Sequence, residues 1–214
     1  MKKVFLIIIT FGLLNQLSAQ EIKIFPTYAI SSYQNFKSGI GYGIGYNLIL
    51  KSNNKLGFAF TQRFNNTAYN YTESSLNDGM AYHRNVIPKN QWITFSSTYS
   101  WNISKTQKSN LYLGPKIGFN YFKMNEIIVS NRVNETITST YNSKYSVNNK
   151  FGLGLSLEYE RKVSDKVSLA FAVEPELIAF YISERVGTSE PAGITNINFN
   201  FNVNFNFAKS KIKE

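Results

Sequence analysis

The feature that most constrains this chain is the strict alternation of large apolar residues with glycines in Ser38–Leu50. A large apolar residue stands at every second position from Ile40 to Leu50, and glycine stands at positions 39, 41, 43 and 45 of the alternate set. An alternation with a period of two predicts a β-strand whose two sets of side chains lie on opposite faces. One face is bulky and apolar and the other is almost bare, which suits a strand between lipid and a crowded barrel interior.

The same alternation recurs along the chain and predicts eight strands. They are residues 21–32, 38–50, 56–63, 91–102, 111–121, 151–160, 167–177 and 196–207. The connections after the second, fourth and sixth strands are short, whereas two of the others, 64–90 and 122–149, are long and polar. An even number of strands with short turns at one end and long loops at the other is typical of transmembrane β-barrels.

The volume of the side chains decides which face of the strands points outward. An eight-stranded barrel has an interior just wide enough to be filled by side chains, so only the small and polar set fits inside. The large apolar set must then face lipid, because a soluble monomer does not expose apolar patches of that size. We therefore predict an all-β fold, an eight-stranded antiparallel up-and-down transmembrane β-barrel, rather than the alternative of a soluble lipocalin-like barrel or sandwich.

The ends of the chain suggest three segments. A basic start, Lys2-Lys3, followed by an apolar run and small residues near Ala19, is typical of a secretory signal peptide at residues 1–20. The apolar run is shorter than the ~20 residues that an anchor helix needs to span a bilayer. Residues 21–207 are the predicted barrel, and residues 208–214 are a basic tail expected on the periplasmic side. Export and the barrel together predict the bacterial outer membrane as the location.

Composition limits the kind of partner. The chain has no cysteine, which excludes disulfides and thiol chemistry, and its formal net charge is +10. An exported basic chain is expected to meet outer-membrane lipids and lipopolysaccharide, not nucleic acid. We also leave open an unknown protein partner at the surface or in the envelope, and we predict a monomer.

Seven charged residues are predicted to point into the barrel. By strand parity they are Arg63, Lys116, Lys150, Glu158, Glu160, Glu174 and Glu176. Buried charges must be paired, so the mixture of signs favours a structural ion-pair network that fills the interior; a charged pore is the alternative. Glu174 and Glu176 could in principle act as an acid pair. The single histidine, His83, is expected to be a solvated loop residue, and we predict no catalytic, cofactor or metal site.

Aromatic and basic residues are expected to mark the membrane interfaces. The aromatic residues near strand ends are Trp92, Tyr99, Trp101, Tyr121 and Tyr159. Tryptophan and tyrosine are enriched at membrane–water interfaces. Lysines and arginines concentrate in the three short turns and the tail, including Lys51, Lys55 and Arg161, so the periplasmic rim is predicted to be positive and to contact phospholipid head groups.

Three strands, GIGYGIGYNLIL, FGLGLSLEYE and NFNFNVNFNF, together with the signal segment and the loop asymmetry, carry a family resemblance. The chain resembles the small outer-membrane β-barrel family that includes OmpA, OmpX and PorT-type proteins, over residues 21–207. Members usually end on an aromatic residue, whereas here Phe207 is followed by AKSKIKE. The resemblance implies a non-enzymatic barrel with a structural or surface-interaction role through its long loops. The alternatives are a narrow, porin-like channel and an accessory role related to secretion or to the lipids of the envelope.

Overall fold

The computed structural model describes six ranges of the chain. They are residues 17–32, 38–65, 68–74, 81–132, 138–181 and 191–208. Ten β-strands cover most of these ranges: β1 (Leu17–Ser31), β2 (Ser38–Leu50), β3 (Lys55–Asn65), β4 (Tyr69–Ser74), β5 (Ala81–Pro88), β6 (Asn90–Lys105), β7 (Ser109–Arg132), β8 (Thr138–Lys162), β9 (Val167–Tyr181) and β10 (Pro191–Ala208). None of the described residues forms a helix long and apolar enough to cross a membrane.

The ten segments amount to eight long strands. The β3–β6 ladder reaches the pair Asn65 and Asn90, and the β4–β5 ladder resumes in the same register at Tyr69 and Val86. On the other side, β5 and the adjoining part of β6 pair with β7 in one register, and the β6–β7 ladder shifts only further on, between Asn102 and Ser104. Therefore β4 continues β3 and β5 continues β6, with an interruption at Lys89, whose backbone N–H donates to the carbonyl of Asn125 at 2.7 Å.

All neighbouring strands are antiparallel and close into a barrel. In the ring, β1, β2, β3, β6, β7, β8, β9 and β10 follow one another, and the β1–β10 ladder closes it from Ala19–Ala208 to Ser31–Asn196. The predicted fold class, an eight-stranded up-and-down antiparallel barrel, is confirmed. Closure leaves no unpaired edge within the barrel, which is the condition for a sheet to span lipid.

Short turns lie together at one end of the barrel. They join β2 to β3, β6 to β7 and β8 to β9, at residues 51–54, 106–108 and 163–166. In the first of them Asn53 has φ of 62°, a left-handed conformation that asparagine tolerates better than most residues. Its N–H donates to the carbonyl of Leu50 at 2.8 Å, which closes the turn tightly. By the usual orientation of such barrels this end faces the periplasm.

Three prolines stand in the middle of barrel strands and locally interrupt one ladder each. No pairing is formed opposite Pro26 on the β10 side, opposite Pro115 on the β6 side or opposite Pro175 on the β8 side. On their other sides Pro26 pairs with Tyr42 and Pro175 with Ile197. Because proline has no N–H to donate, each is accommodated by losing hydrogen bonds on a single side, and the predicted first strand persists through Pro26.

The two faces of the barrel wall differ in the predicted sense. Large apolar side chains are exposed on the outside, including Ile40 at 69%, Leu153 at 57% and Leu155 at 54%. Asparagines at even positions of β10 are buried inside, and Asn204 has no exposed area. The interior is less uniformly small than predicted, because it also contains aromatic and aliphatic side chains. These are Phe25, Trp92, Tyr112, Phe122, Ile178 and Ile194.

Opposite the short turns, one side of the barrel wall rises into a four-stranded sheet. It consists of β4, β5, residues 122–132 of β7 and residues 138–147 of β8, and we call it the extracellular sheet. The long connections predicted at 64–90 and 122–149 are therefore largely paired strands. The predicted connection at 33–37, the first sixteen residues and residues 209–214 lie outside the described residues, and the division into signal, barrel and tail stays a prediction; β1 begins at Leu17 and β10 ends at Ala208.

Candidate functional site

A lysine surrounded by three carboxylates occupies the periplasmic end of the barrel interior. Lys55 Nζ lies 2.9 Å from Glu158 Oε1, 3.1 Å from Glu160 Oε2 and 3.5 Å from Glu21 Oε1. We call these four residues the lower ion cluster. Since β3 and β8 are not neighbours in the ring, the contacts of Lys55 with Glu158 and Glu160 cross the interior.

Polar side chains from the surrounding strands complete the lower ion cluster. Asn202 donates to Glu158 Oε2 at 3.1 Å, Asn204 donates to Glu160 Oε1 at 3.3 Å, and Ser168 donates to the same Glu160 oxygen. The Lys55 ammonium also lies 4.3 Å from the centre of the Tyr112 ring. Asn202 and Asn204 of β10 thus donate to buried carboxylates, and a hydrogen bond to a charged acceptor is stronger than one between two amides.

A second cluster lies nearer the extracellular end of the interior. Lys116 Nζ is 2.8 Å from Glu174 Oε2 and 3.6 Å from Glu176 Oε2, and Asn120 Nδ2 donates to Glu176 Oε1 at 3.0 Å. We call these four residues, together with Arg63, the upper ion cluster. Both of the carboxylates that the sequence presents as an acid pair are thus engaged by Lys116, which favours the structural interpretation of the pair.

Arg63 connects opposite walls of the barrel. Its guanidinium donates to Thr94 Oγ1 at 3.0 Å and to Asn198 Oδ1 on β10, which is not a neighbour of β3. The guanidinium carbon also lies 3.8 Å from the centre of the Trp92 ring. Arginine suits this position because its planar fork can stack on an aromatic ring and donate sideways at the same time.

The prediction that Trp92 is an interface aromatic is wrong. Its side chain is 3% exposed, donates through Nε1 to Asn120 Oδ1 at 2.8 Å and packs on Phe122 at 4.6 Å between ring centres. The reason is strand parity: Trp92 shares the inward face of β6 with Thr94. Among the other predicted interface aromatics, Trp101 and Tyr159 are each 48% exposed, and Tyr99 and Tyr121 are half-buried.

The interior contains more charge than the sequence analysis assigned to it. Of the seven predicted residues, six are buried inside, and Lys150 is half-buried. Glu21, Lys23 and Lys55 were missed, and Lys55, expected at the periplasmic rim, is instead 4% exposed inside the barrel. Strand parity could have identified all three; Lys55, for example, shares its face with Gly57 and Arg63, but the predicted third strand begins only at residue 56.

The outward face of the extracellular sheet has a polar concavity of about 370 Å³. It is lined by Asn70, Thr72, His83, Arg84, Asn85 and Asn131. His83 is exposed there and Thr72 Oγ1 lies 2.9 Å from its Nδ1. The described residues hold no group of three or more histidine, cysteine or acidic side chains placed to bind a metal ion.

The inward side of the extracellular sheet contains a buried acid outside the membrane-spanning part. Glu126 is 4% exposed, and Asn90 Nδ2 donates to its Oε1 at 3.3 Å. Burial raises the pKa of Glu126 above its ordinary value of 4.5, and the bond from Asn90 opposes that rise in part. The sheet is thus sensitive to pH at this position.

Solved structures with this architecture were found by comparison of the fold. The crystal structure of Neisserial surface protein A, NspA, is similar with a TM-score of 0.59 and 13% identity, covering 88% of this chain and 97% of that one. Ail, the attachment invasion locus protein of Yersinia pestis, is similar with a TM-score of 0.51 and 10% identity, covering 89% of this chain and 99% of that one. No protein-family model and no curated protein sequence matches the chain.

The likeness to NspA and Ail concerns the fold, and it agrees with the closed ring of eight strands and the apolar exterior. The chain has the fold of small eight-stranded outer-membrane β-barrels such as NspA and Ail. The predicted resemblance is confirmed at the level of the fold, and the closed barrel with its apolar exterior agrees with the predicted outer-membrane location.

Proposed function

We propose that this barrel is a surface-interaction protein whose extracellular sheet is the binding face and whose interior is filled by side chains. The observation that carries the proposal is the pair of cross-barrel contacts, Lys55 with Glu158 at one level and Arg63 with Asn198 at another. A passage for solutes would have to break a buried ion pair at the first level and a buried hydrogen bond from a guanidinium at the second. The cavity lined by Arg63, Ala29 and Trp92 measures about 10 Å³, the space of about one water molecule.

The extracellular sheet supports the second half of the proposal. It presents a polar outward face above the membrane, with amide, hydroxyl and imidazole groups around the concavity at His83. Backbone ladders hold this face rigid, which lowers the entropy cost of binding compared with a mobile loop. Among the similar structures, Ail is named an attachment invasion locus protein. The partner proposed here is a macromolecule of the cell exterior, with outer-membrane lipids and lipopolysaccharide as the surroundings of a monomeric barrel and no enzymatic role.

Conductance in planar bilayers tests the filled interior. We expect the purified protein to give no stable current steps, and Lys55→Met to leave the membrane closed or to prevent folding. A steady single-channel conductance of the wild-type protein whose ion selectivity changed on Glu174→Lys would replace this proposal with the channel alternative.

A variant without the extracellular hairpin tests the surface role. Residues 66–89 are replaced by a short turn that joins Asn65 to Asn90, which already pair in the barrel ladder. In cells lacking the wild-type protein, we expect this variant to restore exclusion of a hydrophobic dye but not the retention of cells on protein-coated or lipopolysaccharide-coated surfaces. Equal retention with the variant and the wild type would contradict a binding role of the hairpin and favour the structural one.

A further inference from the structure

A second concavity, which takes no part in the proposed function, lies at the periplasmic rim. It opens between the β6–β7 turn and the β8–β9 turn, which are adjacent because Ser109 pairs with Arg161. The backbone N–H of Lys162 donates to the carbonyl of Lys108 at 2.8 Å and ties the two turns together. The concavity measures about 650 Å³, within the usual size range of small-ligand sites.

The lining of this concavity is predominantly cationic. Three of its side chains are positively charged, Lys108, Arg161 and Lys162, and one, Asp165, is negative; Gln107 and Ser164 add polar groups. An arginine can hold a phosphate through two parallel N–H bonds, while the lysines act as point charges. The side chains therefore suit an anion that carries phosphate oxygens.

The position of the concavity relative to the membrane narrows the choice of anion. Arg161 follows Tyr159 on the outward face of β8, about 7 Å further along the strand, and pairs with Leu169 of β9. Tyr159 and Leu169 belong to the exposed apolar belt, and Val163 in the turn is 64% exposed. A ligand held by Arg161 thus meets apolar surface immediately above its charged group.

We propose that this concavity binds the phosphodiester head group of an anionic phospholipid of the periplasmic leaflet, with the acyl chains against Tyr159 and Leu169. Free phosphate offers the same phosphate oxygens but gains no binding energy from that apolar surface. We therefore assign the site to the lipid. This proposal requires that the end of the barrel with the short turns faces the periplasm. It does not require that the extracellular sheet binds a partner.

The other short turns provide a matched control. Lys51 and Lys105 lie at the same rim and are exposed, and Lys105 Nζ donates to Asn53 Oδ1 at 3.0 Å. Neither lines the concavity. Neutralising Lys51 and Lys105 removes as much positive charge from the rim as neutralising Lys108 and Arg161. A difference between the two double variants therefore measures the site itself and not the overall charge.

The experiment is a lipid titration of the mature protein in uncharged detergent, with bound lipids counted by native mass spectrometry. The probes are dioleoyl phosphatidylglycerol, dioleoyl phosphatidylcholine and inorganic phosphate. We expect one phosphatidylglycerol to bind with preference over phosphatidylcholine. Lys108→Gln/Arg161→Gln should weaken that binding about tenfold or more, since each cation that lines the concavity and faces the head group contributes a factor of about five. Lys51→Gln/Lys105→Gln should weaken it by less than about threefold, because neither lysine lines the concavity and exposed charges away from the ligand are screened. Asp165→Asn should tighten it.

Three outcomes would overturn the lipid site. They are equal weakening by both double variants, equal affinity for the two lipids, and displacement of the lipid by inorganic phosphate at similar concentrations, which would indicate a free-anion site. A heat-modifiability gel on every variant verifies that the barrel is folded. Because the conductance and retention experiments do not involve this rim, their failure would leave the lipid result standing, and the reverse holds as well.

Discussion

At the scale of single residues, the interior is governed by the pairing of buried charges. Among the residues that the structure describes, Lys55 is the cation that pairs with all three buried carboxylates of the lower ion cluster, so its removal leaves uncompensated negative charge there. Breaking a buried ion pair by removing one partner is far more costly than losing an exposed pair, which is worth little. Exposed and buried lysines of the same turn are therefore expected to behave very differently.

We expect Lys55→Met to destabilise the folded barrel by about 3–5 kcal/mol, because Glu21, Glu158 and Glu160 lose their common ammonium. The measurement is urea unfolding in lipid vesicles, followed by tryptophan fluorescence. Lys51→Met, four residues earlier in an exposed position, is the control and should change the unfolding free energy by less than about 0.5 kcal/mol. Equal effects of the two substitutions would contradict the role assigned to the lower ion cluster.

Close approach of backbones makes one glycine indispensable. A Cβ at Gly114 would lie 1.8 Å from the carbonyl oxygen of Tyr99, whereas the nearest atom to a Cβ at Gly193 is 3.8 Å away. We expect Gly114→Ala to prevent folding or to lower the unfolding midpoint strongly, because a backbone atom cannot move aside as a flexible side chain can. Gly193→Ala should fold normally. The fraction of protein with a heat-modifiable shift on a gel distinguishes the two, and a normal Gly114→Ala barrel would contradict the observed β6–β7 spacing.

At the scale of elements, the extracellular sheet is an extension of barrel strands and not a set of loops. The polar composition of 64–90 and 122–149 suggested connections, yet register carries on from Asn65 to Tyr69 and from Asn90 to Pro88. Such continuity depends on cross-strand partners that are distant in sequence, so composition alone could not reveal it.

The extracellular sheet should become less stable as the pH rises. Burial raises the pKa of Glu126 in the folded protein above its ordinary value of 4.5. The protonated side chain tolerates burial, so the sheet has its full stability below pH 4.5 and loses stability as the pH rises through the folded pKa. Hydrogen exchange, corrected for intrinsic rates, should show greater protection of β5 amides at low than at high pH in this window. Glu126→Gln should abolish this dependence, and an unchanged dependence in that variant would assign it to another group.

At the scale of the whole molecule, the barrel is inverted relative to a soluble protein. Apolar side chains cover the outside and ion pairs fill the inside, so the bilayer supplies the environment that a hydrophobic core supplies elsewhere. A charged residue introduced on the lipid-facing surface should therefore destabilise the barrel more, the closer it lies to the middle of the membrane.

We expect Leu155→Arg to destabilise the barrel by about 2–4 kcal/mol, since Leu155 pairs with Pro115 near the middle of the apolar belt. Ile103→Arg, close to the end of β6 and 54% exposed, should cost about 0–1 kcal/mol because its guanidinium reaches water. The free energies are measured by reversible unfolding in vesicles. Similar costs at both positions would contradict the membrane placement.

The sequence by itself determined the position of the eight strands, their number and which face of each strand points outward. A period of two is a local property that the sequence shows directly. About 40 side chains of Ile, Leu, Phe and Tyr are also too large together to fit inside an eight-stranded barrel. Ser38–Leu50 is a strand with the predicted bounds, and its glycines leave room for the neighbouring strand, because a Cβ at Gly41 would lie 2.1 Å from the carbonyl oxygen of Gln62.

Only the tertiary structure decided which interior charges meet, and how far the strands rise above the membrane. Lys55 and Glu158 are 103 positions apart in the sequence, and Arg63 and Asn198 are 135 positions apart. Each pair nevertheless meets across the closed ring. Parity places a side chain inside but does not give its height or its partner, since these depend on the stagger of every ladder between the two strands. The same stagger brings Lys108 beside Arg161 and so creates the concavity at the rim.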